Sequence, residues 1–245
     1  MNLHRNALGT ICWWMCLSLC LALAPRTVAA APATVRLFIL SGQSNMVGLN
    51  PDTTFTPAVK KAFSNDEVIV VKSALGGQPI RRWYKAWKKP AEATLPPKAA
   101  PTRPGDLYDV LMAKVKSATQ DKKVGTIAFV WMQGERDAKE GLSAAYAESL
   151  AGLVRQLRDD LKRPDTVVVI GRLSGNMNGE KHWDAVRLAQ QKVAEQDPQA
   201  RWVDTDDLNG PNHGLHYTKD GYDELGRRFA AKAVELLSQM PAAGH

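Results

Sequence analysis

Ser44 lies in Gly42-Gln43-Ser44-Asn45-Met46, and the chain carries a late histidine, His216, in His213-Gly-Leu-His216-Tyr217. A serine hydroxyl becomes a nucleophile when a base takes its proton, and an imidazole is the usual base. Attack on an ester creates a tetrahedral oxyanion, which needs fixed hydrogen-bond donors. The backbone amides of Ser44 and of Gly76 or Gly77 are candidate donors, as is the side-chain amide of Gln133 in Gln133-Gly134-Glu135. Glycine lets the backbone come close to a substrate. Glu135 could hold the imidazole in its working tautomer. Together these are the parts of a serine hydrolase. Each residue also has a plainer use. Ser44 could cap a helix, Gly76-Gly77 could make a turn, Gln133 and Glu135 could open a helix, and His216 could sit in a surface loop. His213 and His216, with aspartates nearby, fall short of an ordinary metal-ligand set.

These residues act together only if the fold gathers them. Apolar β-rich runs at 35–40, 68–71, 126–132, 166–170 and 201–203 read as five strands. Their near-continuous apolar character suits a sheet covered on both faces. Helical patterns lie between them. One begins with Asp106 as cap, one with Ser143 as cap, one spans 183–195 and one spans 220–237. Strand–helix alternation implies right-handed crossovers, hence an α/β fold of three layers with a mostly parallel five-stranded sheet. In such a sheet ligands bind beyond the carboxyl ends of the strands. Ser44, Gly76-Gly77, Gln133-Glu135 and the Asp204–His216 stretch each follow a strand, so four loops converge on one edge. The proline- and alanine-rich stretch 91–104 reads as a surface loop within one domain.

Composition narrows the class. The chain has 245 residues, is 44% hydrophobic and 23% charged, and carries a net charge of +7. Residues 1–30 read as a secretory signal: a weakly basic start, an apolar run over 11–24, then Pro25 and small residues before a cut near Ala30. That run is too short for an ordinary membrane span; an uncleaved anchor is the other reading. Residues 31–245 then form the working domain, exported to the periplasm or beyond, with no membrane attachment after cleavage. Cys12, Cys16 and Cys20 all lie in the signal, which excludes disulfides and thiol chemistry from the remainder. Loss of Arg5 and Arg26 leaves a charge of +5. The scattered basic pairs argue against nucleic acid as a partner. Phosphate-loop spacing is absent. Gly42-Gln43-Ser44-Asn45-Met46 lacks the second glycine of a nucleophile elbow and follows the first strand, which argues against an α/β-hydrolase.

Ile39-Leu-Ser-Gly-Gln-Ser-Asn-Met46, Ala74-Leu-Gly-Gly77 and Trp131-Met-Gln-Gly-Glu-Arg-Asp-Ala138 together resemble the sialate O-acetylesterase-type branch of the SGNH (GDSL-like) hydrolases. By motif the sequence is most similar to carbohydrate acetyl esterases of the acetylxylan type. The resemblance implies a flavodoxin-like SGNH hydrolase fold. It implies removal of O-acetyl groups from carbohydrates, such as acetylated xylan-type glycans or sialic acids, with no metal or organic cofactor. It places the nucleophile on Ser44 and the base on His216. Oxyanion donors fall on Ser44, Gly76, Gly77 and Gln133. Many SGNH enzymes carry an aspartate three residues before the histidine, whereas His213 stands there in this chain. The resemblance to acetyl esterases of this branch, some of which use the glutamate of the Gln-Gly-Glu motif, implies Glu135 as helper acid, with Asp137, Asp206 or Asp207 as competitors and an acid-free dyad as a further alternative. Arg82 and Trp83 are candidate substrate contacts, one for a carboxylate and one for a sugar ring. Two rival readings stay open: another short-chain esterase or acetyl transferase on the same site, and a catalytically silent carbohydrate-binding protein.

Overall fold

The computed structural model describes residues 33–91 and 103–240. Residues 1–30, read above as a secretory signal, and most of the 91–104 loop therefore lie outside the described residues. The five expected strands are present as β1 (Val35–Gly42), β2 (Glu67–Ala74), β3 (Val124–Met132), β4 (Val167–Gly171) and β5 (Ala200–Val203). They form one parallel sheet in the order β2-β1-β3-β4-β5. Two of the helices, α2 (Phe55–Ala62) and α7 (Lys219–Gln239), pack on each other, and α7 covers β3, β4 and β5. The opposite layer holds α3 (Asp106–Ala118), α5 (Ser143–Leu161) and α6 (Lys181–Glu195). This is the expected three-layer α/β/α arrangement.

The sheet is held by its apolar content. Leu37 to Leu40 of β1, Ile127 to Met132 of β3 and all of β4 are buried. Aromatic packing extends that core outward, with Trp83 standing edge-on to Trp131 at a centroid distance of 5.2 Å.

Two helix starts differ from their expected caps. The residue before α3 is Gly105, and Asp106 is instead the first helical residue, engaged by Arg82. Ser143 opens α5 but bonds His182 Nδ1 at 2.8 Å and caps no backbone amide. α7 is capped one position earlier than its acidic start suggests, by Thr218 Oγ1 accepting from the Gly221 amide. α2 was not visible as a pattern, because its eight residues hold too few turns for a period to emerge.

Register sets the level of the functional loops. Gly42 of β1 pairs with Ala74 of β2 on one side and with Met132 of β3 on the other. The three loops that follow therefore start side by side. The order also reverses at β1: the chain leaves it toward β2, then returns past it to β3. That reversal opens a crevice beyond the carboxyl ends of β1 and β3. Two short helices sit there, α1 (Ser44–Gly48) and α4 (Glu135–Lys139).

Gly42 is required by this packing. Its φ is +146°, and a Cβ there would lie 1.9 Å from the Met132 carbonyl oxygen. Backbone, not a yielding side chain, is in the way. Gly42→Ala is expected to cost about 3 kcal/mol or more, as strain and overpacking combine. Urea unfolding of the two proteins measures this, and an unchanged midpoint would contradict the close approach.

Candidate active site

Ser44 is the first residue of α1, so its backbone N–H has no acceptor within the helix. Directly opposite is the β2 loop. Leu75 N–H donates to the Gly42 carbonyl at 3.1 Å, and this tie brings the next residue against the serine. A Cβ on Gly76 would lie 3.6 Å from the Ser44 Cβ. Gly77 follows with a left-handed φ of +66°, and its carbonyl accepts from Arg136 Nε at 2.7 Å. Ser44 and the Gly-Gly turn are thus brought together.

The histidine loop is tied to the same place through Asn45. Asn45 Nδ2 donates to Glu135 Oε1 at 2.8 Å and lies 3.3 Å from the Leu215 carbonyl. Asn45 Oδ1 accepts from the Tyr222 hydroxyl at 3.1 Å. One buried amide therefore links the residue after Ser44, the carboxylate of the Gln-Gly-Glu turn and the residue before His216. His216 itself is exposed, and neither its ring nor the Ser44 hydroxyl is hydrogen-bonded among the described residues.

Ser44 thus stands at the reversal point of a five-stranded parallel sheet, beside a Gly-Gly turn and a tethered histidine loop. The sequence matches, over residues 47–235, the family described as carbohydrate esterase, sialic acid-specific acetylesterase. The chain belongs to that family. It is similar to a probable carbohydrate esterase of Arabidopsis thaliana, at 26% identity over 75% of this chain and 62% of that protein. The chain thus spans less than two thirds of that relative. The X-ray structure of an Arabidopsis thaliana protein shares the fold with a TM-score of 0.64 at 21% identity, over 84% of this chain and 99% of the other. A carbohydrate acetylesterase from Xanthomonas citri shares it with a TM-score of 0.62 at 17% identity, over 84% of this chain and 57% of the other. The lipolytic G-D-S-L protein of Veillonella parvula has the same fold, at a TM-score of 0.50, 15% identity, and coverage of 84% and 100%.

At this site three expected residue roles change. Gln133 is fully buried, and its Nε2 has three acceptors for two hydrogens. These are Asp137 Oδ2 at 2.6 Å, the Gln78 carbonyl at 3.0 Å and Gln43 Oε1 at 3.2 Å. Its amide has no hydrogen to spare for an oxyanion. The residue missed by sequence reasoning is Gln43. Its Oε1 accepts from Gln133 Nε2 and from the Arg136 amide at 3.1 Å, which turns Nε2 the other way. That Nε2 has no hydrogen-bond partner among the described residues, and the Gln43 side chain is buried next to Ser44 in sequence. An amide next to the serine was the available signal, but its direction depends on neighbours distant in sequence.

Trp83 is not a sugar platform either, since it is buried against Trp131. Arg82 is committed to Asp106 through Nε at 3.0 Å and through Nη2, and to Gln78 Oε1 at 2.9 Å. Arg81 is buried and paired with Glu140 at 2.6 Å. The guanidinium left facing the turn belongs to Arg136, whose side chain is 37% exposed and sits beside Gly77.

The acids also sort themselves. Asp206 is held by Arg187 and Arg172, and Asp207 by Arg228. Glu135 is the acid tied to the histidine loop. It is 5% exposed, and its Oε2 is buried without a partner. Burial pushes its carboxyl above the ordinary range, and the Asn45 bond pulls it partly back. Asp137 lies underneath, accepting from the Ile80 amide at 2.9 Å as well as from Gln133. Burial pushes it up to about 7, against those two hydrogen bonds and the charge of Arg81.

This raised value has a sign. Folded Asp137 keeps its proton between about pH 4 and about pH 7, where the unfolded chain has lost it. The cost of burying the ionised form is absent below that window, grows through it and is complete above it, so stability falls as pH rises. Asp137→Asn retains an acceptor for Ile80 without the charge. The stability of Asp137→Asn relative to the unaltered protein is therefore expected to increase from pH 4.5 to pH 7.5. Urea midpoints across that range test it, and parallel curves for the two proteins would remove Asp137 as the cause.

Proposed function

We propose that this protein is an exported serine esterase that removes O-acetyl groups from carbohydrates through an acyl-Ser44 intermediate. The observation that carries the reading is the meeting of Ser44 with the Gly76-Gly77 turn and, through Asn45, with the loop that holds His216. Family membership supplies the substrate class.

His216 takes the Ser44 proton as the oxygen attacks the acetyl carbonyl. The carbonyl oxygen gains the charge and is met by the Ser44 amide, the Gly76-Gly77 turn and Gln43 Nε2. Collapse breaks the bond to the sugar oxygen, which leaves with the proton from His216. Water, deprotonated by His216, then attacks the acyl-serine and releases acetate. Gln133 is a positioning residue in this scheme: it orients Gln43 and is itself oriented by Asp137. Glu135 acts on the histidine loop. The Arg136 guanidinium is suited to a substrate carboxylate such as that of a sialic or uronic acid, a task for which Arg82 is not free.

Ser44→Ala is expected to reduce acetate release from acetylated xylan and O-acetyl sialic acid by about 10³-fold or more. Equal release by both proteins would falsify Ser44 as nucleophile. Gln43→Ala should lower kcat by about 10²- to 10³-fold with little change in KM, the signature of a lost oxyanion donor. Arg136→Gln should raise KM for acetylated acidic sugars by about tenfold or more and leave neutral acetylated sugars unaffected. A uniform change across both substrate classes would assign Arg136 to the turn alone.

A further inference from the structure

Six large hydrophobic side chains are exposed among the described residues, and three of them lie on the segments that meet at Ser44: Val47 at 48%, Leu75 at 44% and Leu215 at 42%. They come from three different loops, and each is held near the serine by a separate tie. Val47 is three residues after Ser44 on α1, which puts the two on neighbouring positions of one helix face. Its carbonyl accepts from Lys72 Nζ at 2.8 Å, which binds the end of α1 to β2. Leu75 follows β2 and precedes Gly76, whose Cβ position lies 3.6 Å from that of Ser44. Leu215 precedes His216, and its carbonyl is the one at 3.3 Å from Asn45. By contrast, the exposed Val110 and Leu188 each stand alone on a helix, as single surface hydrophobics commonly do.

The chemistry of this rim is aliphatic. A sugar ring is gripped most directly by an aromatic face, and the tryptophan expected to offer one, Trp83, is in the core. Branched aliphatic side chains give no directional contacts and suit hydrocarbon. Their position around the nucleophile puts them next to whatever the reacting carbonyl carries.

We propose that the site accepts acyl groups longer than acetyl, in the butyryl to hexanoyl range, with the methylenes lying against Val47, Leu75 and Leu215. The inference rests on the serine esterase reading and extends its substrate class from acetyl to short- and medium-chain esters. The reaction balances as before. The acyl group passes to Ser44 Oγ, the alcohol leaves with the proton, and water releases the free acid.

The test is hydrolysis of p-nitrophenyl acetate, butyrate and hexanoate by the full chain and by the Leu75→Ser and Leu215→Ser variants. Each methylene that leaves water adds about fourfold to binding. In the unaltered protein kcat/KM is expected to rise by about tenfold from acetate to butyrate, mainly through KM. Either variant should lower the hexanoate-to-acetate ratio severalfold, a ratio that cancels any general loss of activity. A decline in kcat/KM with length in the unaltered protein overturns the proposal. So does a variant that changes all three esters equally, which would place the rim on the alcohol side. Ser44→Ala separates the two levels. If it hydrolyses the acetate ester as fast as the unaltered protein, Ser44 is not the nucleophile and the serine mechanism fails, whatever the chain-length profile.

Discussion

Everything at the site depends on how closely the ends of β1 and β3 approach. The Gln43 amide donates to the Met132 carbonyl at 2.9 Å, and the glycine before it allows that distance. The contact fixes two chain segments that diverge immediately afterwards, one into Ser44 and the other into Gln133-Gly134-Glu135. Gly134 continues the same logic with a φ of +155°, where a Cβ would lie 2.8 Å from Val186. The turn it permits sends Gln133 down into the protein and lets Glu135 begin α4 beside Asn45. The Ser44-Asn45 segment and Glu135 are neighbours because two strands are in register and two glycines let them stay close.

Below that contact lies a buried polar cluster that would be costly if left unpaired. Gln133 is saturated on every side. Its carbonyl accepts from the Tyr146 hydroxyl at 2.5 Å and from Gln190 Nε2 at 2.8 Å, and its Oε1 accepts from Tyr146 at 3.1 Å. Gln190 Oε1 in turn receives the Leu173 amide at 2.8 Å. α5 and α6 are therefore bonded directly to Gln133, and the loop after β4 is joined to it through Gln190. A rigid cluster of this kind fixes the Gln43 side chain through its Oε1 and leaves its Nε2 unbonded. In the proposed mechanism such a donor is fixed in advance by bonds the reaction does not touch.

The fold was legible because its signals are local and repeated. Five short apolar runs separated by capped helical patterns leave few alternatives to a covered parallel sheet, and the reversal at β1 then follows from topology. The site was legible to the level of which loops meet. What escaped was the direction of individual side chains. Gln43 and Gln133 are the same residue type, each beside a turn, and only contacts with Asp137, Gln78 and Arg136 decide which Nε2 is bonded and which is not. Trp83 follows an exposed-looking Gly-Gly turn, yet the 3-10 turn at Ile80–Arg82 carries it back onto Trp131. Arg82 is taken by Asp106, 24 residues away in sequence. None of these outcomes has a periodic signature.

The histidine loop shows how a departure from a motif can be absorbed elsewhere. With His213 three residues before His216, no carboxylate is available at that position to meet the imidazole. Residues 211–216 are all exposed, so little apolar packing holds them. Restraint comes instead from backbone carbonyls: Leu215 on Asn45, and Gly214 on Asn209 Nδ2 at 2.5 Å. The carboxylate of Glu135 thus grips the backbone of the loop through an amide, while its second oxygen stays buried and unpaired. A buried carboxylate oxygen without a donor is unfavourable, and an imidazole N–H is a donor of the right kind to relieve it. The same acid therefore restrains the loop through one oxygen, while the other is left without a donor among the described residues.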